Sequence, residues 1–236
     1  MTWSIIAKDR STGQIGIAVA TRFFAVGARV PFIVAGRGGI ATQALVNPYY
    51  GIDGAKLLRE GRSPQEIIQI LTSADPGRDS RQLHILDHAG RIAAHTGKAC
   101  IPWCGHLEGE DFSIAGNMLA GAEVLKETAS AYLTNAALPF APRLIAALRA
   151  GEAAGGDKRG KQSAALSIYG EEEWSILDLR VDDHPDPLAE LERLEQVSRA
   201  HWTKFREFLP TRANPAGVTD RAVIEAGISA IVANQP

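Results

Sequence analysis

The sequence predicts an α+β fold in which antiparallel pairs of β-strands alternate with pairs of helices. Short polar turns that contain glycine join the paired strand runs, as in β-hairpins. The strand runs are nearly continuously apolar, which is typical of strands covered on both faces. A four-layer αββα sandwich, with helices outside two stacked sheets, accounts for both the paired helices and the apolar strands.

The first strand is predicted at residues 2–7 and its antiparallel partner at residues 14–20. The segment 8–13 between them is polar and ends in glycine, as a hairpin turn requires. A third apolar run, residues 31–35, leads into a glycine-rich segment. The chain therefore begins with a hairpin and a further strand.

Two helices are predicted next. Residues 52–60 form the first, which ends before Gly61, and the second begins with a capping box of Ser63 at the N-cap and Glu66 at N3. Residues 1–209 are predicted to form one domain, and 210–236 a linker with a short C-terminal helix. The later elements are strands 81–87 and 91–96, a loop 97–111, a strand 112–115, helices 122–133 and 139–150, strands 163–169 and 176–181, a long helix from Pro187 whose apolar stripe reaches Phe205, and a helix 221–232.

Composition excludes several classes of protein. A net charge of −2 gives no general attraction to nucleic acid or to anionic membranes. No apolar run is long enough to span a bilayer, and the first residues lack the basic region of a secretory signal. We therefore expect a cytoplasmic protein that binds neither nucleic acid nor membrane.

Two glycine-rich segments match nucleotide-binding motifs only in part. Gly36-x-Gly38-x-x-Ala41 follows a predicted hairpin, whereas the dinucleotide fingerprint lies within a parallel βαβ unit. Residues 155–163 lie between a helix and a strand, and Gln162 stands where a P-loop has serine or threonine. We therefore expect no nucleotide cofactor.

A short stretch of the chain holds four side chains that can ligate zinc. These are His95, Cys100, Cys104 and His106, but their spacing is not that of the common zinc sites. Buried thiols in a packed loop are the alternative that we favour, so we expect no metal.

Thr2 could act as a nucleophile if the residue before it were removed. The small side chain at position 2 favours removal of Met1, which would leave a threonine with a free α-amine. That amine can serve as the base for the hydroxyl of the same residue, because its ordinary pKa is about 7.7–8.0. The alternative is that Thr2 is an ordinary strand residue.

Several motifs resemble one bacterial family, catalogued as domain of unknown function ten twenty-eight and placed in the N-terminal-nucleophile (Ntn) hydrolase superfamily. The resemblance runs from Thr2 to about Leu209 and implies the αββα fold and an amidohydrolase. Proteasome-like members have a lysine at the start of the third strand, where this chain has Arg29 and Val30. The motifs are Thr-Trp-Ser-Ile-Ile-Ala at 2–7, Ala-Thr-Gln at 41–43, Arg-Gln at 81–82, Thr-Gly at 96–97, Gly-Asn-Met-Leu at 116–119, Gly-Gly-Asp-x-Arg-Gly-x-Gln-Ser-Ala-Ala-Leu at 155–166 and Leu-Arg-Val-Asp-Asp-His-Pro at 179–185.

The resemblance implies a set of catalytic residues around Thr2 as the nucleophile. Asn117 could donate its amide to an oxyanion, or it could be a turn residue that follows a strand. Asp157 and Arg159 could orient Thr2 or bind a substrate carboxylate, or they could form a salt-bridged loop.

Three further polar residues, Gln43, Asn47 and Ser163, could line the substrate pocket or be hydrogen-bonded core residues. The resemblance implies an Ntn-type amidohydrolase, and we expect it to cleave a small non-peptide or acyl-amino amide and to assemble as a homodimer. The alternative is an inactive Ntn scaffold that binds a small metabolite.

Overall fold

The computed structural model describes residues 2–232, and the chain divides into two compact units. The first unit runs to Leu191 and the second begins at Glu192. Ten strands and seven α-helices lie within the described residues. None of the helices among residues 2–232 combines the length and the apolar character that crossing a membrane requires.

All ten strands belong to the first unit and form two antiparallel sheets. The larger sheet has six strands in the order β10-β9-β2-β1-β8-β7, and the smaller has four in the order β3-β4-β5-β6. The strands are β1 Thr2–Lys8, β2 Ile15–Thr21, β3 Pro31–Val34, β4 Gly38–Ala44, β5 Arg81–Asp87, β6 Ile92–Thr96, β7 Gly105–Gly109, β8 Phe112–Asn117, β9 Ser163–Tyr169 and β10 Ser175–Val181.

Two pairs of helices lie between strands along the chain, one pair after β4 and the other after β8, as the sequence predicts. A capping box between Ser63 and Glu66 starts the second helix. The helices are α1 Pro48–Arg59, α2 Pro64–Ala74, α3 Glu123–Thr134, α4 Phe140–Ala153, α5 Pro187–Ala200, α6 Trp202–Phe205 and α7 Arg221–Val232.

Apolar side chains of both sheets meet in one buried cluster. Ile6 and Ile17 of the larger sheet pack there with Ala41 and Leu86 of the smaller one. Since these side chains are removed from water, burial between the sheets stabilises the fold. The two sheets of this mixed α+β unit therefore lie face to face.

Each sheet also packs against a helix pair. On the smaller sheet, Ile40 is clustered with Leu58 of α1 and Ile67 of α2. On the larger sheet, the rings of Phe112 and Tyr132 of α3 lie 5.2 Å apart. Gly16 of β2 allows α4 to pack close to the sheet, because a Cβ at this position would lie only 2.6 Å from the side chain of Leu144.

The structure confirms the first predicted hairpin and corrects three other elements. β1 pairs antiparallel with β2 from Thr2↔Thr21 to Lys8↔Ile15. Helix α1 begins at Pro48 rather than residue 52, because the Asn47 side chain caps its N-terminus. The predicted loop 97–111 contains strand β7, and the long helix predicted from Pro187 is interrupted at His201, whose φ of −134° is not helical.

Candidate active site at Thr2

Thr2 lies in the middle of the six-stranded sheet, between two polar residues of the neighbouring strands. β1 pairs with β2 on one side and with β8 on the other, which places Thr21 and Asn117 directly opposite Thr2. The hydroxyl oxygens of Thr2 and Thr21 are 3.1 Å apart. Thr2 as a whole is buried, with 7% of its surface exposed.

Two side-chain amides approach the carbonyl oxygen of Thr2. Gln43 and Asn117 each donate to it from 3.4 Å. Both amides also donate to the Oε1 atom of Gln82, Gln43 at 2.8 Å and Asn117 at 3.1 Å. Gln82 therefore fixes the orientation of the two amides that hold Thr2.

Gln82 is itself held from three directions. The two hydrogens of its Nε2 atom are shared among three acceptors, which are the hydroxyl of Thr96 at 2.9 Å and the carbonyl oxygens of Gly105 at 3.0 Å and Gly116 at 2.8 Å. Its side chain is fully buried. Because buried polar atoms are costly when they lack partners, this side chain has little freedom to rotate.

A second line of polar groups runs from Gln43 into the space between the sheets. The Ser4 hydroxyl donates to Oε1 of Gln43 at 2.7 Å, and it lies 2.9 Å from Nε2 of His84. The other ring nitrogen of His84 is 2.9 Å from the hydroxyl of Ser113. The Ser4 proton is already used, so Nε2 of His84 carries the hydrogen and Nδ1 accepts from Ser113.

His84 is uncharged at neutral pH. Complete burial, with a smaller contribution from the charge of His106, lowers its pKa to about 3. The polar network behind Thr2 therefore consists of neutral groups, and it positions the strand end without placing a charge in the core.

A cavity of about 190 Å³ opens beside Thr2. Gln43 and Arg29 supply its other polar groups, and its remaining walls are apolar. A second cavity, of about 310 Å³, lies beside Asn117 and shares Ala44 and Leu45 with the first. The two spaces thus flank the end of β1, where a small ligand could contact the Thr2 hydroxyl.

Non-glycine residues with positive φ flank the candidate site. Ala44, with φ 70°, follows Gln43, and Met118, with φ 55°, follows Asn117. Ala25, with φ 54°, precedes the cavity residue Val26. Such conformations cost about 1–3 kcal/mol each and occur preferentially at functional sites. These positions have no signal in the sequence, because alanine and methionine ordinarily avoid this region.

Asp157 and Arg159 form a clamp on the residue that follows Thr21. The carboxylate of Asp157 accepts the backbone N–H groups of Arg22 and Arg159, both at 2.8 Å. The guanidinium of Arg159 contacts Asp157 at 3.3 Å and the carbonyl oxygen of Arg22 at 3.2 Å. In the structure these two residues contact each other and the Arg22 backbone, and they reach Thr2 through Thr21.

Two other predicted site residues lie outside the lining of the Thr2 cavity. Ser163 donates to the carbonyl oxygen of Phe23 and accepts the N–H of Val26, so it supports a wall of that cavity. Asn47 caps α1 and donates to Asp75 at 3.3 Å. Of the predicted residues, the structure thus brings Gln43 and Asn117 directly to Thr2.

Three residues of the candidate site are not predicted by the sequence, namely Thr21, Gln82 and Arg29. The register of the predicted hairpin could have found Thr21, which faces Thr2 when residues 2–7 pair with the following strand. Gln82 belongs to one of the family motifs, but its role depends on packing between the sheets.

The candidate zinc ligands bind protein atoms instead. Cys100 donates to the carbonyl oxygen of Arg81, and Nε2 of His95 lies 2.9 Å from that of Arg78. His106 lies 3.0 Å from the hydroxyl of Thr96. Within residues 2–232, no group of three or more His, Cys, Asp or Glu side chains is arranged to hold a metal ion.

Comparison with known proteins identifies one family. The model of the family of unknown function DUF1028 matches residues 2–191. The crystal structure of protein SPO2555 from Silicibacter pomeroyi, a DUF1028 protein, is 33% identical and has a TM-score of 0.85, with 93% of this chain and 96% of that chain covered.

A second solved structure is more distant. Anbu (ancestral beta-subunit) from Yersinia bercovieri is 12% identical, with 83% of this chain and 94% of that chain covered, and its TM-score of 0.40 is too low to support an argument. None of the curated proteins compared with the chain matches it.

Proposed function

We propose, for this chain that belongs to the DUF1028 family, the activity of an Ntn amidohydrolase with Thr2 as its nucleophile. In this proposal the two sheets and the helix pairs are the four-layer αββα sandwich of that superfamily. The substrate is a small non-peptide or acyl-amino amide. The proposal requires cleavage of the peptide bond before Thr2, which would free its α-amine.

One observation carries the proposal. Thr2 lines a cavity of about 190 Å³, and two neutral side-chain amides donate to its backbone carbonyl oxygen. Placing a weak nucleophile accurately beside a bound amide is a direct source of catalysis.

The chemistry follows from the atoms of Thr2. Its hydroxyl oxygen attacks the amide carbonyl carbon while the freed α-amine takes the hydroxyl proton. The same proton then passes to the leaving nitrogen, the C–N bond breaks, and an ester remains on Thr2. Water attacks the ester with the α-amine again as base, which releases the carboxylic acid and restores Thr2.

We assign stabilisation of the oxyanion to Asn117. Its amide donates to the Thr2 carbonyl oxygen over 3.4 Å, a long hydrogen bond that a developing negative charge could replace. Loss of a comparable donor in other enzymes costs about 2.7–4 kcal/mol in the barrier. Thr21, whose hydroxyl oxygen is 3.1 Å from the nucleophilic oxygen, would hold the Thr2 hydroxyl in one orientation.

The test compares two forms of the protein that differ in their first residue. One form begins at Thr2 and the other retains Met1, with intact mass establishing each start. In a panel of small amides, turnover is expected in the first form alone, because the second has no free amine at Thr2. Equal turnover in both forms would contradict the nucleophile assignment. Absence of turnover in both, with ligand-induced stabilisation retained, would favour the binding scaffold instead.

A further inference from the structure

The cavity beside Thr2 combines apolar walls with one cationic side chain. Within the described residues that line it, Arg29 is the charged side chain, and the others are apolar apart from Thr2 and Gln43. A volume of about 190 Å³ is somewhat larger than the roughly 150 Å³ of an engineered cavity that binds benzene. The space therefore suits a short hydrocarbon chain rather than a peptide.

Arg29 has a fixed backbone and an unengaged guanidinium. Its N–H donates to the carbonyl oxygen of Val26 at 3.0 Å, which holds the residue at the end of a short 3₁₀ helix, Val26–Ala28. In the part of the chain that the structure describes, its guanidinium makes no hydrogen bond or ion pair. A planar guanidinium with free donors is suited to binding a carboxylate through two parallel hydrogen bonds.

The nearby arginines are engaged elsewhere. Arg22 donates to the carbonyl oxygen of Arg159 at 2.8 Å, and Arg159 pairs with Asp157. Among these arginines, Arg29 is therefore the one whose guanidinium has free hydrogen-bond donors at the cavity.

The second cavity differs in its chemistry. The described residues around it, which include Ser80, Cys100 and Asn117, carry no charged side chain. If the two cavities hold the two parts of a substrate joined at Thr2, the part in the first cavity carries an anion and the part in the second is uncharged. Thr2 lines the first cavity and not the second, and the acyl group is the part of the substrate that becomes bonded to Thr2. We therefore assign the acyl group to the apolar, cationic cavity and the amine group to the uncharged one.

We propose that this site selects amides whose acyl group ends in a carboxylate, that is, monoamides of short dicarboxylic acids. The methylene chain lies against the apolar walls, the carboxylate binds Arg29, and the scissile carbonyl lies at Thr2. This inference rests on the function proposed above. Hydrolysis adds the hydroxyl of water to the acyl carbon and its hydrogen to the nitrogen, so the products are a dicarboxylic acid and an amine, and the proton of the new carboxyl group passes to the amine or to solvent.

Binding tests the charge recognition without requiring turnover. In Thr2→Ala protein, calorimetry compares adipic acid monoamide with hexanamide, which differ in a carboxylate against a methyl group. We expect adipic acid monoamide to bind more tightly, and Arg29→Gln to weaken it about fivefold, the loss of one exposed ion pair. Hexanamide binding should not change. Arg62→Gln is the matched control, since it removes an exposed arginine that does not line the cavity.

Turnover separates this inference from the proposed function. With protein that begins at Thr2, adipoyl-4-nitroanilide should be cleaved faster than hexanoyl-4-nitroanilide, and Arg29→Gln should remove the preference while Arg29→Lys keeps part of it. Cleavage of both anilides at rates that do not depend on Arg29 would overturn the acidic substrate class and leave the nucleophile intact. Carboxylate binding that depends on Arg29, without cleavage, would support the recognition and overturn the amidohydrolase. Absence of Arg29-dependent binding would overturn the inference outright.

Discussion

Replacement of Gln82 by methionine should lower the free energy of unfolding and, at the same time, weaken the hydrogen bonds that hold Thr2 in position. The side chains are similar in size, but methionine offers neither the acceptor that Gln43 and Asn117 share nor the donor to Thr96, Gly105 and Gly116. A buried polar atom left without its partner costs about 1–3 kcal/mol.

The magnitude follows from these contacts. Two buried amide donors lose their best acceptor, although both retain long contacts to the Thr2 carbonyl oxygen and Gln43 also keeps the carbonyl oxygen of Ala115 at 3.1 Å. We therefore expect a loss of about 3 kcal/mol in the free energy of unfolding, and a decrease of roughly 6–12 °C in Tm at this chain length. Turnover should fall further than the folded fraction, because Asn117 and Gln43 no longer fix the strand end.

Chemical denaturation with parallel activity assays measures both effects. Gln65→Met is the matched control, because Gln65 is exposed on helix α2 and should tolerate the change within about 0.5 kcal/mol. A loss below 1 kcal/mol for Gln82→Met, or full activity in the folded variant, would refute the idea that Gln82 holds the site.

The remaining predictions concern the nucleophile, the buried histidine and a tightly packed glycine. Thr2→Ala should fold and lose turnover, while Thr2→Ser should keep part of it. Circular dichroism measures the folding and a panel of amides measures the turnover, and full turnover in Thr2→Ala would contradict the assignment of the nucleophile. The pKa of His84 is about 3 in the folded protein and about 6.5 when unfolded, so the unfolded state takes up its proton first. Stability should therefore decrease by up to about 1.4 kcal/mol per pH unit as pH falls from 6.5 toward 3. Denaturation of His84→Gln at several pH values should lack this component, and an unchanged slope would contradict it. Gly16→Ala should cost about 1–3 kcal/mol, since its Cβ would lie 2.6 Å from Leu144, whereas Gly121→Ala, with no atom within 4 Å, serves as the control in the same melts.

Local signals in the sequence predicted those elements whose cause is local. The polar turn and the apolar runs on both sides of it identified the β1–β2 hairpin, and the Ser63–Glu66 capping box identified the start of α2. For α1, the predicted start at residue 52 was too late, although Asn47 and the following Pro48 supply the N-cap and N1 signals of an earlier start.

The glycine-rich strands could not be predicted from local signals. β4 contains Gly39, where a Cβ would lie 3.1 Å from Ile17 of the facing sheet. β7 contains Gly105, which makes room for the ring of Trp103, at 2.8 Å from such a Cβ. Glycine disfavours strands on its own, so only the close approach of other groups explains its presence there.

The candidate site divides in the same way. Thr2 and Asn117 came from motifs, and the pairing of β1 with β8 brings them together. The other features of the site depend on contacts between segments far apart in the chain, and no motif or periodicity encodes such contacts. These features are the hydrogen bonds through Gln82, the neutral state of His84 and the free guanidinium of Arg29.

The site of acylation tests most directly whether Thr2 is the nucleophile. Protein that begins at Thr2 is treated with the 4-nitrophenyl monoester of adipic acid, quenched in acid, digested and mapped by mass spectrometry. We expect an adipoyl ester on the hydroxyl of Thr2 and no adduct there in the form that retains Met1. Acylation of another residue during turnover, or equal acylation of Thr2 in both forms, would contradict it.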